Sequence, residues 1–193
     1  MEGMRGAAEL EQIIRSTDWL MRALEAAREV AAPDWLIGAG AVRTAVWDRL
    51  HGFEGPPALT DIDLAFFDAQ DLSPGRDEEV ERRLVATLPS APWDAKYQAA
   101  VHLWYPRRFG LEVTPLASCD EAVSTWPETS TAIAVRLADD DRLEVVAPLG
   151  LDDLLGLVHR RNAKRVSVEE YRRRIVTKRI AERWPRATVL PAP

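Results

Sequence analysis

The chain has one cysteine, Cys119, only three histidines and no long apolar run, and each scarcity excludes a class of protein. A single cysteine forms no internal disulfide, and His51, His102 and His159 lack the spacing of a zinc site. No apolar stretch approaches the roughly 18 residues of a membrane helix. The chain opens with MEGMRGAAELEQ, which carries acid where a signal peptide is apolar, so we expect a cytoplasmic protein with no membrane partner.

The length and the charge distribution limit how the chain can be organised. Its 193 residues suit one domain with an ordinary hydrophobic core, here 1–193. The net charge of −6 hides a basic segment between His159 and Arg186, which has eleven Arg or Lys against three Glu. Such a segment indicates either a phosphate-rich or other interaction partner for a basic C-terminal helix, or merely a solvated helix face.

Hydrophobic periodicity and turn residues predict an α+β fold, with a mixed β-sheet flanked by helices. We divide the domain into an N-terminal helical part (1–32), a core (33–147) and a C-terminal helical part (148–186). Predicted helices cover 8–31, 41–50, 77–88, 118–124, 149–158 and 168–184. Predicted strands cover 35–37, 61–67 and 93–104, with a hairpin of 131–137 and 143–147 across three aspartates.

The sequence Asp61-Ile62-Asp63 is the main candidate for chemistry. Aspartates at positions i and i+2 of a strand project from the same face, a few ångströms apart. Two such charges resist joint ionisation unless a cation neutralises them. Carboxylate oxygens select magnesium, or manganese in its place, rather than zinc. The alternative is a pair of solvent-facing aspartates at a strand start.

A glycine turn precedes this strand by about twenty residues. A short buried strand ends in Gly38-Ala39-Gly40 and opens a helix that carries Arg43. Glycines allow the backbone to approach a ligand closely, and the free N–H groups of a helix N-terminus bind phosphate. The order of strand, glycine turn, helix and D-x-D strand is that of the nucleotidyltransferase superfamily that includes DNA polymerase beta.

Longer stretches resemble a narrower family. The turn at 39–43 resembles the G-G-x-V-R turn of tRNA-nucleotidyltransferases, with Ala39 where a second glycine is usual, and 60–65 resembles their D-I-D strand. The stretches 37–43, 46–48, 93–99, 126–129 and 147–154 resemble a family of small bacterial nucleotidyltransferase-like proteins long described as of unknown function. The similarity covers roughly residues 35–186.

This resemblance implies magnesium-dependent transfer of a nucleoside monophosphate from a nucleoside triphosphate, such as ATP, to a hydroxyl acceptor. Asp61 and Asp63 would bind the metal, and Gly38, Gly40 and Arg43 would hold phosphate. Active superfamily members have a third carboxylate, for which Asp94 fits in order and pattern, with Glu144 and Glu112 as alternatives. Lys96 and Gln98 share the predicted face of Asp94, so Lys96 either meets the nucleotide or is a surface lysine.

The acceptor and the level of activity are left open by the sequence. The acidic remainder of the chain would repel a long polyanion, so we expect a small-molecule or protein acceptor rather than tRNA or other RNA. An inactive nucleotide-binding or regulatory module is the main alternative to an enzyme. Gly38-Ala39-Gly40 is not a dinucleotide motif, because Arg43 stands where the third glycine would be.

Overall fold

The computed structural model describes residues 2–55, 57 and 59–192, and it begins with two helices where the sequence predicted one. Helix α1 spans Glu2–Arg15 and helix α2 spans Asp18–Val30. The break falls at Ser16 and Thr17, whose hydroxyl groups donate to the carbonyl of Ile13 at 2.9 and 2.8 Å. Short hydroxyl side chains compete in this way with the backbone ladder of a helix, which explains the break.

A five-stranded mixed sheet forms the centre of the molecule, as the sequence predicted. Its strands are β1 (Leu36–Gly38), β2 (Ile62–Phe66), β3 (Trp93–Tyr97), β4 (Ala134–Leu137) and β5 (Leu143–Val146). The spatial order is β3-β2-β1-β4-β5. Strands β2 and β3 run parallel, joined by a crossover through α4 (Arg76–Thr87), and the other neighbours are antiparallel. The predicted β4–β5 hairpin is confirmed.

The two faces of the sheet differ in their cover. One face packs on α1, α2, α4 and α3 (Gly40–His51) and supplies Ile37, Leu64 and Phe66 to the main core. The other face contributes Ala65 and Ala134 to a smaller cluster under α6 (Cys119–Val123). Because side chains alternate along a strand, Asp63 shares the second face with Ala65. The thinner cover on this face leaves room for a cavity.

Several predicted boundaries are wrong. The strand predicted over 93–104 ends at Tyr97, and α5 follows over Val101–Phe109. The helix predicted over 149–158 is reduced to α7, Asp152–Leu155. It is followed by β6 (Val158–His159), which pairs with β7 (Thr188–Val189). No helix in the described ranges has the length and apolar character needed to cross a membrane.

The basic C-terminal helix is interrupted. It divides into α8 (Val168–Lys178) and α9 (Ile180–Arg183) at Arg179, whose φ of 49° is left-handed. Ser167 caps α8 as predicted, accepting a hydrogen bond from the Glu170 N–H at 3.1 Å. The break turns the chain so that Trp184 enters the core.

The C-terminal part is fastened to α3 by two tryptophans. The fully buried Trp184 donates from Nε1 to Asp48 at 2.7 Å, and its ring meets Trp47 edge to face. Trp47 in turn donates to the Leu154 carbonyl at 2.8 Å. Buried indoles combine a large apolar area with a polar group that needs a partner, and both requirements are met here. This attachment places α8 beside the glycine turn.

Candidate active site

Asp61 and Asp63 lie at the start of β2, on the thinly covered face of the sheet. Asp61 immediately precedes the strand and Asp63 is its second residue. Both line a cavity of about 210 Å³. Ala65, two residues further along, lines the same cavity, which is the alternation expected of a strand.

The surroundings of Asp63 disfavour the ionised form of its carboxyl group. Burial, reinforced by the charges of Asp61 and Asp94, raises the pKa of Asp63 to about 6. Lys178 and Lys96 oppose this increase but do not cancel it. The carboxylate has no ion-pair partner among the described residues. A bound cation would remove the repulsion that holds this pKa above its ordinary value.

Asp94 is brought next to the pair by the sheet. Asp63 and Asp94 are direct partners in the parallel β2–β3 register, so their side chains share a face. The Asp94 carboxylate lies 2.5 Å from the ammonium group of Lys96, and Asp94 does not line the cavity, whereas Lys96 does. Ion pairing with Lys96 thus holds Asp94 at the edge of the site.

The two alternative carboxylates lie elsewhere. Glu144 belongs to β5, at the opposite edge of the sheet. There it pairs with Arg136 at 2.5 Å and Arg142 at 3.0 Å, and the hydrogen bonds from Arg136 hold its pKa below the ordinary value. Glu112 is exposed in the irregular segment after α5. Of the three candidates, the structure brings only Asp94 beside Asp63.

The glycine turn has two glycines with different surroundings. A Cβ on Gly38 would lie 2.6 Å from both the Ile133 carbonyl oxygen and the Trp126 ring, so this glycine is required by packing. A Cβ on Gly40 would meet nothing within 4 Å, and Gly40 lines the cavity. The cavity is therefore open to the backbone at Gly40, the first residue of α3, whereas Gly38 does not line it.

Ala39, between the two glycines, has a conformation that alanine rarely adopts. Its φ of 52° and ψ of −122° lie outside the regions that L-residues populate. Such strain persists only where the surroundings enforce it. Here the Ala39 N–H donates to the Ile133 carbonyl at 3.1 Å, and its carbonyl accepts from the Arg43 N–H at 3.2 Å.

Arg43 presents a buried cation to the same cavity. It is 5% exposed, and its guanidinium carbon lies 4.9 Å from the Trp184 ring centroid and 5.6 Å from that of Trp47. Its Nε is buried with no hydrogen-bond partner in the described part of the chain. Burial lowers the pKa of Arg43 to about 10, so the group stays charged at neutral pH. A buried cation without a carboxylate partner suits an anionic ligand.

Sequence reasoning missed an ion pair at this cavity whose carboxylate is buried. Glu128 is 1% exposed and accepts from Arg174 Nε at 2.5 Å. Burial opposes ionisation of Glu128, but the hydrogen bonds and charge of Arg174 outweigh it and keep its pKa below the ordinary value. Lys178, one turn after Arg174 on α8, also lines the cavity. The stretch Trp126–Thr129 resembled the family, but nothing in it indicated this pairing across 46 residues.

The donor set of the cavity suits a hard cation. No group of three or more His, Cys, Asp or Glu side chains in the described ranges is arranged to hold a metal by itself. Asp61 and Asp63 supply two carboxylates, and magnesium is commonly bound by one or two carboxylates together with substrate phosphates. The pair therefore fits a divalent ion whose remaining ligands come from a triphosphate and water.

The mixed sheet, the glycine turn and the paired aspartates define a nucleotidyltransferase fold. The family model described as nucleotidyltransferase matches residues 25–189, so the chain belongs to that family. This confirms the resemblance found in the sequence. No curated protein sequence matches the chain. Family and fold support nucleotidyl transfer in general, in a family that generally uses a divalent metal.

Solved structures with this fold include proteins that process tRNA. An NMR structure described as revealing a CCA-adding enzyme head domain is 26% identical, with a TM-score of 0.78, and the match covers 94% of this chain and 96% of that one. The Thermotoga maritima CCA-adding enzyme complexed with tRNA-CCA is 16% identical, with a TM-score of 0.56. That match covers 95% of this chain but 42% of the enzyme, so the second likeness concerns the fold alone.

Proposed function

We propose that the chain transfers a nucleoside monophosphate from a nucleoside triphosphate to a hydroxyl acceptor, with magnesium as the cofactor. The observation that carries this proposal is that one cavity is lined both by carboxylates without a cation and by a guanidinium group without an anion. Asp61 and the half-buried Asp63 lack a cation, and the buried Arg43 lacks an anion. A metal-bound triphosphate supplies both.

Asp61 and Asp63 would hold the metal through their carboxylate oxygens. Magnesium, or manganese with similar preferences, supplies neutralisation of the triphosphate and of the departing pyrophosphate. The raised pKa of Asp63 supports this assignment, because a carboxylate that repels its neighbours when empty gains most from a cation.

The phosphates would lie against the basic side of the cavity. Gly40 opens backbone N–H groups at the start of α3 to the ligand, and Arg43, Arg174 and Lys178 surround the same space. We assign Gly38 a supporting part in phosphate binding, since its tight packing fixes the path of the turn. The cavity of about 210 Å³ is smaller than the roughly 300–1,000 Å³ of common ligand sites. It therefore suits the triphosphate, with the nucleoside outside.

Asp94 would accept the proton of the attacking hydroxyl and complete the metal site. The acceptor oxygen forms a bond to the α-phosphorus, the bond from that phosphorus to the β-bridging oxygen breaks, and pyrophosphate leaves. Asp94 must exchange its contact with Lys96 for this role, and Lys96 would then turn to the nucleotide phosphates. Positioning and electrostatics would supply most of the acceleration.

A nucleotide-binding module without turnover is the second candidate. It is favoured by the Asp94–Lys96 ion pair: of the described carboxylates that line the cavity, Glu128 is paired with Arg174, so Asp61 and Asp63 alone are left to hold a metal. In that case the chain would bind a metal–nucleotide complex and regulate a partner in response to it. The two candidates share the ligand and differ in product formation.

The experiment measures melting temperature with each nucleoside triphosphate plus MgCl₂, and then product formation from labelled triphosphates. Ligand binding raises the melting temperature by mass action. The double substitution Asp61→Asn with Asp63→Asn should abolish the increase. Asp139→Asn with Asp140→Asn, on the exposed β4–β5 turn, should retain it. An equal increase in both double variants would exclude this site, and binding without product would favour the module.

A further inference from the structure

A long groove opens from the candidate site along the same side of the molecule. Its volume is about 1150 Å³, and it shares Lys96, Gln98 and Arg174 with the smaller cavity. Helix α5, the segment 161–167 and the first turns of α8 form its walls. The groove therefore adjoins the cavity lined by Asp61 and Asp63, and a chain that lies in the groove can bring one end to that cavity.

The walls of the groove concentrate positive charge in an acidic protein. Among the described residues, seven Lys or Arg line it against three Asp or Glu, although the whole chain carries −6. Four of these cations form no ion pair in the described part of the chain: Arg108, Arg161, Lys164 and Arg165. Lys164 instead donates to the Ser124 hydroxyl at 2.7 Å, and Arg161 donates to the Val166 carbonyl at 2.7 Å. Four cations without carboxylate partners favour a ligand with several phosphates.

Exposed aromatic rings lie among these cations. Trp104 is 41% exposed and Phe109 is 44% exposed, and Tyr105 packs against both with centroid distances of 5.8 and 4.6 Å. Arg108 lies over Phe109 and Arg165 over Tyr105, at 5.6 and 5.7 Å. Aromatic faces flanked by arginines are the means by which proteins stack the bases of single strands while holding their phosphates.

The size of the groove argues for a polymer segment. Sites for small ligands usually measure roughly 300–1,000 Å³, and this groove exceeds that range. An acidic peptide would satisfy the cations but leave the aromatic rings without flat partners. A duplex would hide its base faces from them.

We propose that the groove binds the acceptor, and that the acceptor is a single-stranded polynucleotide whose terminal hydroxyl reaches Asp94. The inference rests on the proposed function for the reaction, but binding of the strand does not require it. The transfer would add one nucleotide: the terminal oxygen bonds to the α-phosphorus, pyrophosphate leaves, and the proton passes to Asp94. Only three of the 31 Asp and Glu residues are found in the lining as described, so the net negative charge of the chain does not argue against a polyanionic acceptor in this groove.

The test is fluorescence anisotropy with labelled single-stranded RNA of about twelve nucleotides, within the usual range of site sizes, without triphosphate or metal. Single-stranded DNA of the same sequence forms a second arm of the experiment, which tests whether the groove distinguishes RNA from DNA. Trp104→Ala should weaken binding about tenfold or more, and Trp104→Phe should restore most of it. Arg108→Ala should weaken binding and reduce the salt slope by about 0.7, the value for one contact to a single strand.

Matched controls lie one residue away on the same helix. Arg107 and Leu103 are exposed on α5 but do not line the groove, so Arg107→Ala and Leu103→Ala should leave binding unchanged. The Asp61→Asn, Asp63→Asn variant should bind the strand at least as tightly as the native chain, which separates this result from the test of the metal site. Absence of saturable binding at low salt would overturn the proposal. Equal losses in Arg107→Ala and Arg108→Ala, or equal affinity for polyglutamate, would do the same.

Discussion

Asp63 of β2 and Asp94 of β3 are paired directly across the only parallel junction of the described five-stranded sheet. Two carboxylates from different strands are thereby held on one face by backbone hydrogen bonds rather than by contacts of their own. The repulsion between them is built into the register, and it can be relieved by a proton or by a metal ion.

The pH dependence of stability should report on Asp63. Its pKa of about 6 exceeds the ordinary 3.8, so the folded state binds this proton more tightly than the unfolded state. Stability should therefore fall as pH rises from about 4 to about 6, by up to about 3 kcal/mol for a two-unit difference. Asp63→Asn should remove this fall and melt higher than the native chain at pH 7. Denaturant unfolding across pH measures this, and an identical pH profile in Asp63→Asn would contradict it.

Turnover should distinguish Asp94 from Glu144. Asp94→Asn should reduce kcat by about 100-fold or more, the usual contribution of a general base, and leave nucleotide affinity within about tenfold. Glu144→Gln should leave kcat unchanged and cost less than about 1 kcal/mol of stability, because its pairs with Arg136 and Arg142 are solvent-accessible. Steady-state kinetics provides the measurement, and a loss of kcat in Glu144→Gln alone would move the assignment to β5.

The two glycines of the turn should respond differently to alanine. Gly38→Ala places a methyl group against the Ile133 carbonyl and the Trp126 ring, and overpacking of this kind costs about 1–3 kcal/mol. Gly40→Ala should leave the melting temperature nearly unchanged but weaken triphosphate binding, because its methyl group projects into open space at the cavity. Thermal melts with and without nucleotide compare the two, and the reverse pattern would refute the assigned positions.

Ala39→Gly should stabilise the protein. Strain at a residue with φ of 52° and ψ of −122° costs about 1–3 kcal/mol, whereas the added freedom of glycine in the unfolded chain costs about 0.4–1 kcal/mol. The net gain should be about 1 kcal/mol, visible as a higher midpoint in urea. Ala41→Gly, in the following helical turn, serves as a control and should be destabilising. A lower midpoint for Ala39→Gly would mean that the turn relaxes in solution.

The pair of Glu128 and Arg174 should behave as a positioning device for the phosphate side of the cavity. Glu128→Gln keeps the shape but removes the charge that orients the guanidinium, so KM for the triphosphate should rise more than kcat falls. Arg173→Gln, whose side chain pairs with Glu170 at the surface, should leave KM for the triphosphate unchanged. A fall in kcat with constant KM in Glu128→Gln would place Arg174 in the transition state instead.

The elements nearest the candidate site were the ones that the sequence predicted best. Asp61, Asp63 and the glycine turn are local patterns, and a strand or a helix start fixes their geometry over a few residues. The first four residues of α5 were included in the strand predicted over 93–104, because Val101 and Trp104 favour strands, and only their tertiary surroundings make them helical.

Long-range pairings could not be predicted in the same way. Glu128 and Arg174 are 46 residues apart and meet only because α8 folds back over the turn, and no local spacing encodes that contact. The cations of the basic segment also have different surroundings. Lys178 lines the small cavity and Arg173 lines the groove, whereas Arg179 pairs with Glu182. The position of Asp94 beside Asp63 depends on the pairing register of β2 and β3, which the sequence only suggested.

The fastening of Trp184 to Asp48 and Trp47 has a practical consequence for fragment design. A minimal piece trimmed to residues 33–147 would lose α8 and, with it, Arg174 and Lys178. It would also uncover the indole of Trp47 and leave Asp48 without its donor. Such a truncation would therefore precipitate or unfold before its chemistry could be assayed, so a shortened version for crystallography or selection must extend through Trp184.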